Sequence, residues 1–250
     1  AASSRGLGRA TAEALAAEGV DLVMCARGAD ALAETAAAVR AAHGVRVVEA
    51  AADLGTRDGI ARVVAAAGEL GPIDILVTNT GGPPAGPFEA HDAAAWDDAV
   101  RHNLTSVVEL TRAVLPGMRA RRWGRIVNVT SIAVAQPVDN LILSNSVRAA
   151  VTGFARTLAN EVAPHGITVN NVMPGYTRTQ RVDELARRNA ELRDTTVDEQ
   201  LAVWERQIPM ARLGEPREFG AMVAFLCSAL ASYTTGASIP VDGGWIRRLL

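Results

Sequence analysis

The chain has 250 residues, of which 49% are hydrophobic and 21% are charged, and its formal net charge at pH 7 is −2. This length and apolar content are sufficient to form one complete hydrophobic core, so we expect a single domain over residues 1–250. The near-neutral charge argues against nucleic-acid binding, because a nucleic-acid surface needs a pronounced basic patch. Small molecules are therefore the expected partners.

The two cysteines and the apolar runs restrict the class of protein further. Cys25 and Cys227 stand far apart in apolar segments, and no group of His or Cys has the spacing of metal ligands. We therefore predict neither a disulfide framework nor a metal site.

No apolar run reaches the roughly 18 residues of a membrane span, and the first residues do not resemble a signal peptide. We expect a cytoplasmic location and no membrane partner.

Short runs rich in Val and Ile alternate along the chain with longer Ala-rich segments of helical period. The predicted strands cover residues 20–25, 45–49, 73–78, 125–129, 168–172 and 238–241. The predicted helices cover residues 9–18, 29–42, 57–67, 93–121, 144–163 and 215–229. This alternation is typical of repeated βα units, and continuously apolar strands are typical of a parallel sheet buried on both faces. We predict an α/β, doubly wound Rossmann fold whose ligand lies at the carboxyl ends of the strands.

Four polar positions carry a resemblance to a known family. They are Asn103, Ser131, and the pair Ser144 and Arg148 within the segment Ser-Asn-Ser-Val-Arg. Their spacing resembles that of the classical short-chain dehydrogenase/reductase family, whose site uses an asparagine, a serine, and a tyrosine followed four positions later by a lysine. Ser144 occupies the tyrosine position and Arg148 the lysine position. The C-terminal segment 236–244 is similar to the last strand of β-ketoacyl carrier-protein reductases in this family.

The family resemblance implies a dinucleotide site. A glycine-rich turn that opens a helix can bring backbone N–H groups onto a pyrophosphate, and Gly6 and Gly8 suit this task. In the family, the aspartate at the position of Asp53 binds the adenine amino group. The segments that contain Asn79 and Pro174 each follow a further strand and belong to the same dinucleotide site in the family. The residues assigned to the cofactor by this resemblance are Ser4, Arg5, Gly6, Leu7, Gly8, Arg27, Asp53, Leu54, Asn79, Gly81, Arg148, Pro174, Gly175 and Thr179.

The end of the second strand of the family's βα pattern, Met24 to Arg27, bears on the choice of cofactor. An acidic residue at this point would bind a ribose 2′-hydroxyl, whereas a basic residue would bind a 2′-phosphate. The segment contains no acid and ends in Arg27, and Arg5 precedes the glycine turn. Two guanidinium groups could form bidentate contacts with the additional phosphate. We therefore expect NADP(H) rather than NAD(H), the alternative being that both arginines are ordinary surface residues.

Reduction of a carbonyl leaves an alkoxide, which needs a hydrogen-bond donor and a source of a proton. The resemblance assigns these catalytic tasks to Asn103, Ser131, Ser144 and Arg148. The family's acid is a tyrosine, whose phenol in a free peptide has a pKa of about 10, and an aliphatic hydroxyl such as that of Ser144 is a far weaker acid. Arg148 retains a cation for the nicotinamide ribose in a chain that contains no lysine. We expect an NADPH-dependent oxidoreductase that reduces a carbonyl, with a 3-oxoacyl thioester as a candidate substrate.

The loss of the family's tyrosine leaves three functions open. The protein could still reduce a carbonyl, with protons delivered through Ser144 and water, or by Tyr176, for which packing beneath the lid is the alternative. It could perform chemistry that needs no strong acid at this position. It could also be an NADP(H)-binding pseudoenzyme that acts as a subunit or sensor. Asn103 and Ser131 favour catalysis, although the first could stabilise a helix kink and the second could cap a loop.

Three further expectations follow from the resemblance. The family's central strand precedes the glycine turn, so we expect a strand before residue 1 and no pairing between the strands at 20–25 and 73–78. The charged segment at about 180–213 is expected to be a short helical lid, or else an exposed helical hairpin. The helices at 93–121 and 144–163 are expected to mediate a homotetramer through small residues such as Ala149, Ala150, Val151 and Ala155.

Overall fold

Parallel strands and helices alternate in the computed structural model, which describes residues 1–249. The strands are β1 Leu22–Ala26, β2 Val47–Ala51, β3 Ile75–Thr78, β4 Gly124–Val129, β5 Ile167–Pro174 and β6 Ser238–Val241. The α-helices are α1 Gly6–Ala17, α2 Ala29–His43, α3 Arg57–Gly68, α4 Ala93–Val100, α5 Ser106–Arg121, α6 Ile142–Val162, α7 Gln180–Arg193, α8 Val197–Gln207 and α9 Pro216–Cys227. The α/β fold predicted from the sequence is confirmed.

The core lies on both faces of the sheet, as a doubly wound fold requires. Ile126 and Val127 are neighbours on β4, and successive side chains of a strand point to opposite faces. Ile126 packs with Met118 of α5 on one face, and Val127 belongs to the cluster that contains Phe219 of α9 on the other. All four side chains are almost completely buried. Each face of the central strands is therefore closed by its own layer of helices.

The strands form two parallel pieces rather than one continuous sheet. β1 pairs with β2, and β3, β4, β5 and β6 pair in that order. The first residues of the chain lie between the pieces: the Ala1 amino group is 3.3 Å from the Val77 carbonyl oxygen, and the Ser3 N–H donates to the Cys25 carbonyl oxygen. The Cys25 N–H in turn donates to the Ser3 hydroxyl oxygen at 2.8 Å. β1 and β3 do not pair with each other. The expected strand before residue 1 stays a prediction.

Three strands begin two residues later than predicted, because the apolar run and the hydrogen-bond ladder do not coincide. The predicted strands at 20–25, 45–49 and 73–78 begin at Leu22, Val47 and Ile75. Asp21 lies at the start of the first two: its carboxylate accepts hydrogen bonds from both the backbone and the side chain of Arg46. Asp21 and Arg46 directly precede the first paired residues of the two strands, Leu22 and Val47.

The helix predicted over 93–121 is divided by a π-helical segment. α4 ends at Val100, the π-helix occupies Arg101–Thr105, and α5 begins at Ser106. Such segments insert an extra residue into a helix and are frequently found at functional sites. The segment predicted to be a lid or an exposed hairpin forms two helices, α7 and α8, which pack against each other through Val182, Ala186 and Trp204. A lid function stays a prediction.

Residues 1–249 contain neither a candidate membrane span nor a metal cluster. In this part of the chain, no helix combines the length and the apolar character needed to cross a membrane. No group of three or more His, Cys, Asp or Glu residues is placed to bind a metal ion in the same range. Cys25 and Cys227 are both buried and both free.

Candidate active site

A cavity of about 890 Å³ opens at the carboxyl ends of the strands. It has the size and position expected of a ligand site in an open α/β sheet. All of the site residues predicted from the sequence line it, namely Ser4, Arg5, Gly6, Leu7, Gly8, Arg27, Asp53, Leu54, Asn79, Gly81, Asn103, Ser131, Ser144, Arg148, Pro174, Gly175 and Thr179. The fold thus brings together residues that are up to 175 positions apart in the chain.

The glycine turn before α1 presents unpaired backbone donors to the cavity. α1 begins after Arg5, with neither a side-chain cap nor an acidic residue in its first turn. Gly6 has a φ of +54°, in the left-handed region that favours glycine, and a Cβ on Gly8 would lie 2.0 Å from the Ala2 carbonyl oxygen. Both glycines are therefore required by the turn itself. The free N–H groups of a helix N-terminus form a favourable site for a phosphate group.

Arg5 and Arg27 lie at this end of the cavity in different environments. The Arg5 guanidinium donates a hydrogen bond to the side-chain oxygen of Gln180, in the first turn of α7. Arg27 is exposed and makes no side-chain hydrogen bond within residues 1–249. Arg27 is therefore the cation better placed to receive an additional anion at this end of the site.

Asp53 is held in place by two neighbours. Its Oδ1 atom accepts a hydrogen bond of 2.9 Å from the Gly55 N–H and lies 3.0 Å from His102 Nε2. The Gly55 hydrogen bond and, to a lesser degree, His102 and Arg27 lower the pKa of Asp53, against the effect of burial. Its Oδ2 atom makes no hydrogen bond within residues 1–249, which leaves an acceptor for a ligand. Leu54 is buried beside it.

Asn103 lies within the π-helix, and its side chain connects two elements. Its Nδ2 atom donates to the Ala99 carbonyl oxygen at 3.2 Å, and its Oδ1 atom accepts a hydrogen bond from the Thr80 hydroxyl at 3.1 Å. Asn103 is buried, whereas the neighbouring Gly81 has open space where a Cβ would be. The structural role considered for Asn103 at the sequence level is therefore present, through direct contacts that join the helix to the loop after β3.

Ser131, Ser144 and Arg148 line the part of the cavity beside the carboxyl end of β4. Ser131 caps a short 3₁₀ helix, because its Oγ atom accepts a hydrogen bond of 3.1 Å from the Ala133 N–H. Ser144 and Arg148 are one turn apart on α6, and each is 8% exposed. The Ser144 hydroxyl has no hydrogen-bond partner within residues 1–249. Arg148 donates through Nη1 to the Val129 carbonyl oxygen at 2.7 Å.

Arg181, a residue not predicted from the sequence, brings a second guanidinium to this end of the cavity. It donates through Nη2 to the Pro83 carbonyl oxygen at 2.8 Å. Burial, together with the nearby charge of Arg181, lowers the pKa of Arg148 to about 10, so Arg148 remains a cation at neutral pH. The buried residues Val182, Ala186 and Ala190 recur at helical spacing in α7. That pattern marks which side of the helix is buried, but the sequence does not reveal that this end of the helix meets the cavity.

Tyr176 packs against α8. Its ring stacks on Trp204 of α8 with the ring centres 4.5 Å apart, and it meets Trp245 edge-on at 6.1 Å. Burial raises the pKa of Tyr176 to about 12. A hydroxyl with a raised pKa is a weaker acid, so these contacts support the packing role considered for Tyr176.

The segment after β5 positions the first turn of α7. A Cβ on Gly175 would lie 2.7 Å from the Asp242 Cα, so only glycine allows this close approach of two backbones. Thr179 is the N-cap of α7, since its Oγ1 atom accepts a hydrogen bond from the Val182 N–H. Pro174 ends β5 and lines the cavity with these two residues.

Comparisons with known proteins agree with this geometry. A family model described as "Enoyl-(Acyl carrier protein) reductase" matches residues 1–246. A putative ketoacyl reductase of the monensin polyketide synthase from Streptomyces virginiae is 37% identical, over 97% of this chain and 94% of that protein. A 3-oxoacyl-(acyl-carrier-protein) reductase from Vibrio cholerae is 35% identical, over 97% of this chain and 93% of that protein.

A solved structure extends the likeness to the whole fold. L-sorbose reductase from Gluconobacter frateurii, in complex with NADPH and L-sorbose, superimposes with a TM-score of 0.93. The two proteins are 34% identical, and the match covers 99% of this chain and 95% of the reductase. The chain belongs to the short-chain dehydrogenase/reductase family of oxidoreductases, within which its relatives include ketoacyl reductases.

Proposed function

We propose that this protein is an NADPH-dependent reductase of a carbonyl group that works without the tyrosine acid of its family. The observation that carries the proposal is one cavity lined both by an uncapped helix N-terminus and by Ser131, Ser144 and Arg148. The helix N-terminus suits the phosphates of a dinucleotide, and the three side chains offer hydroxyl and guanidinium donors to a carbonyl oxygen. A 3-oxoacyl thioester is the candidate substrate, because two of the relatives are named as ketoacyl or 3-oxoacyl reductases.

The residues present fit NADP(H). The free N–H groups of α1 would bind the pyrophosphate, and Arg27 would bind the 2′-phosphate, because cations and helix N-termini both stabilise phosphate. The free Oδ2 atom of Asp53 would accept a hydrogen bond from the adenine amino group. Asn79, Gly81, Arg148 and Thr179 line the remaining part of the site. When bound, the cofactor supplies the hydride for the reduction.

The chain's own residues can orient and polarise the carbonyl. The Ser131 hydroxyl accepts the Ala133 N–H, so its own proton is free to be donated to a substrate oxygen. The Arg148 guanidinium stabilises negative charge that develops on that oxygen, and such preorganised charge is usually the largest catalytic contribution. Ser144 cannot itself replace a phenol as an acid. Its unpaired hydroxyl can instead order a water molecule that delivers the proton.

Loss of a positioned general acid typically reduces the rate by about 10² to 10⁴, so we expect the native protein to reduce its substrate slowly.

The absence of tyrosine and lysine from the positions of Ser144 and Arg148 also supports a second candidate function. In this alternative the protein binds NADP(H) but performs no reduction, and it acts as a subunit or sensor. Ser144 and Arg148 both line the cavity. This location agrees with both candidate functions.

Restoring the family's pair of residues tests the proposal. NADPH consumption is measured with β-ketoacyl thioesters and small ketones, for the native protein and for a Ser144→Tyr, Arg148→Lys double variant. The exposed Ser146 lies outside the cavity, so Ser146→Tyr is the matched control for adding a tyrosine to α6. We expect measurable native turnover, an increase of about 10² to 10⁴ in the double variant, and no change in the control.

The outcomes separate the two candidate functions. Turnover by the native protein establishes a reductase with an unusual proton source. Turnover by the double variant alone would contradict the proposal, because the sites would then be intact while the native chemistry is lost. That result would support the nucleotide-binding subunit or sensor instead.

We further propose that the active protein is a cytoplasmic homotetramer. The outer surface of α6 carries the exposed small residues Ala149, Ala150 and Gly153, which would allow a second helix to approach closely. Val151 and Ala155, which the sequence prediction also assigned to the interface, are buried in the protomer's own core. The proposed contact therefore keeps Ala149 and Ala150 of the predicted set and adds Gly153.

A further inference from the structure

Two arginines share the reacting end of the cavity without a carboxylate partner. Arg148 is 8% exposed and Arg181 is half-buried, and both line the same space. Each donates to a backbone carbonyl oxygen, at Val129 and at Pro83 respectively. Neither lies within ion-pair distance of an acid among residues 1–249. A buried cation without a counter-ion is unfavourable, so the pair requires a compensating negative charge.

Other arginines of the same region are paired. Arg178, three residues before Arg181, contacts both Glu205 and Glu215, and Arg212 is paired with Glu218. The acid with the largest effect on Arg181 is Glu184, which raises its pKa but does not come within ion-pair distance and instead accepts a hydrogen bond from Gln180. Arg178 and Arg212 are thus paired with acids, whereas Arg148 and Arg181 within the cavity are not.

We propose that Arg181 binds a carboxylate group of the substrate, with the buried charge of Arg148 nearby adding to the positive potential, so that the natural substrate is an oxo acid. A guanidinium offers a planar fork of N–H donors that matches the two oxygens of a carboxylate. With the carboxylate held there, the carbonyl of the same molecule would lie near Ser131 and Ser144. This inference rests on the proposed reduction of a carbonyl, and it replaces the 3-oxoacyl thioester with a free oxo acid as the substrate, because a thioester has no free carboxylate.

The position of the pair favours the substrate over the cofactor as the source of the anion. Arg148 is one helical turn from Ser144, at the end of the cavity that holds the hydroxyl groups. The free N–H groups of α1 and the exposed Arg27 provide phosphate ligands elsewhere in the cavity. Arg181 lies on the lid helix beside Gln180, which contacts Arg5, so the cofactor phosphates are the competing source that the experiment must distinguish.

Equilibrium binding tests the inference without requiring turnover. Acetoacetate and levulinate are titrated calorimetrically into the protein, with and without saturating NADP⁺, beside their neutral methyl esters. The variants are Arg181→Gln, which removes the charge in the cavity, and Arg187→Gln, which removes the same charge from an exposed position of α7 outside it. The dissociation constant of NADP⁺ is measured for each variant.

We expect the acids to bind about 10- to 100-fold more tightly than the esters, as hydrogen bonds to charged groups imply. Arg181→Gln should remove this preference, and Arg187→Gln should retain it. Equal binding of acid and ester would overturn the inference. A weaker affinity for NADP⁺ in Arg181→Gln, with an unchanged acid-to-ester ratio, would also overturn it and assign Arg181 to a cofactor phosphate. An acid preference without any reduction would contradict the proposed function while supporting the carboxylate site.

Discussion

Arg27 is the residue on which the proposed preference for NADPH depends. We predict that Arg27→Ala weakens NADPH binding about 10- to 100-fold, because it removes a charged contact to the 2′-phosphate. NADH lacks this phosphate and serves as the internal control, so its dissociation constant should change by less than about twofold. Fluorescence titration of both cofactors measures the effect. A native protein that binds NADH more tightly than NADPH would refute the assignment of Arg27.

Tyr176 provides a second prediction at the level of a single side chain. Its raised pKa and its stacking on Trp204 indicate packing rather than proton transfer. Tyr176→Phe keeps the ring and removes only the hydroxyl, so we expect kcat/KM to fall by less than about threefold. If Tyr176 were the proton donor, the loss would be in the range of about 10² to 10⁴. Steady-state assays of the variant decide between these results.

Arg181 shows what sequence reasoning could not reach at the residue level. The resemblance to the family's site points to Asn103, Ser131, Ser144 and Arg148, and the fold brings all four to one cavity. Arg181 has no such signature, because its placement depends on where the lid helix comes to rest. That position is determined by packing between distant elements, which local patterns do not encode.

At the level of elements, the N-caps of the two lid helices permit a matched comparison. Thr179 caps α7 and lines the cavity, whereas Thr196 caps α8 as part of a capping box outside the cavity. We predict that Thr179→Ala and Thr196→Ala each lower stability by about 1 kcal/mol, the usual contribution of such a cap. Only Thr179→Ala should also weaken NADPH binding. Thermal unfolding and cofactor titration provide the two measurements.

A different result would change the interpretation of the lid. Equal losses of cofactor affinity in the two variants would show that lid stability, rather than contact through Thr179, controls binding. If neither variant altered binding, the first turn of α7 would not take part in the nucleotide site. The exposed-hairpin alternative would then be the better description of residues 180–213.

The elements themselves were largely predictable, and the exceptions have identifiable causes. Apolar runs located every strand, but the backbone pairing of β1 begins one residue after Asp21, whose carboxylate accepts a hydrogen bond from the Arg46 N–H. The helical period continued through residues 93–121, yet Asn103 lies in a π-helical segment within this range. A side chain that contacts Ala99 and Thr80 stabilises this segment, and hydrophobic periodicity carries no information on such contacts.

For the whole molecule, Gly153 tests the proposed homotetramer. It lies on the exposed side of α6, and a Cβ at this position would have no atom within 4 Å in the isolated protomer. We predict that Gly153→Glu converts a tetramer into smaller species, because a charge would be buried between facing helices. Gly68→Glu, at the equally open end of α3, should leave the assembly unchanged. Light scattering at micromolar concentration measures both, and a native monomer would refute the proposal.

The pairing of the central strands has a consequence for local stability. β4 pairs with β3 and β5, β5 pairs with β4 and β6, and almost every residue of these two strands is buried. Backbone that is both paired and buried becomes accessible to solvent only when most of the fold opens. We therefore expect the amide hydrogens of β4 and β5 to exchange with solvent among the slowest in the protein.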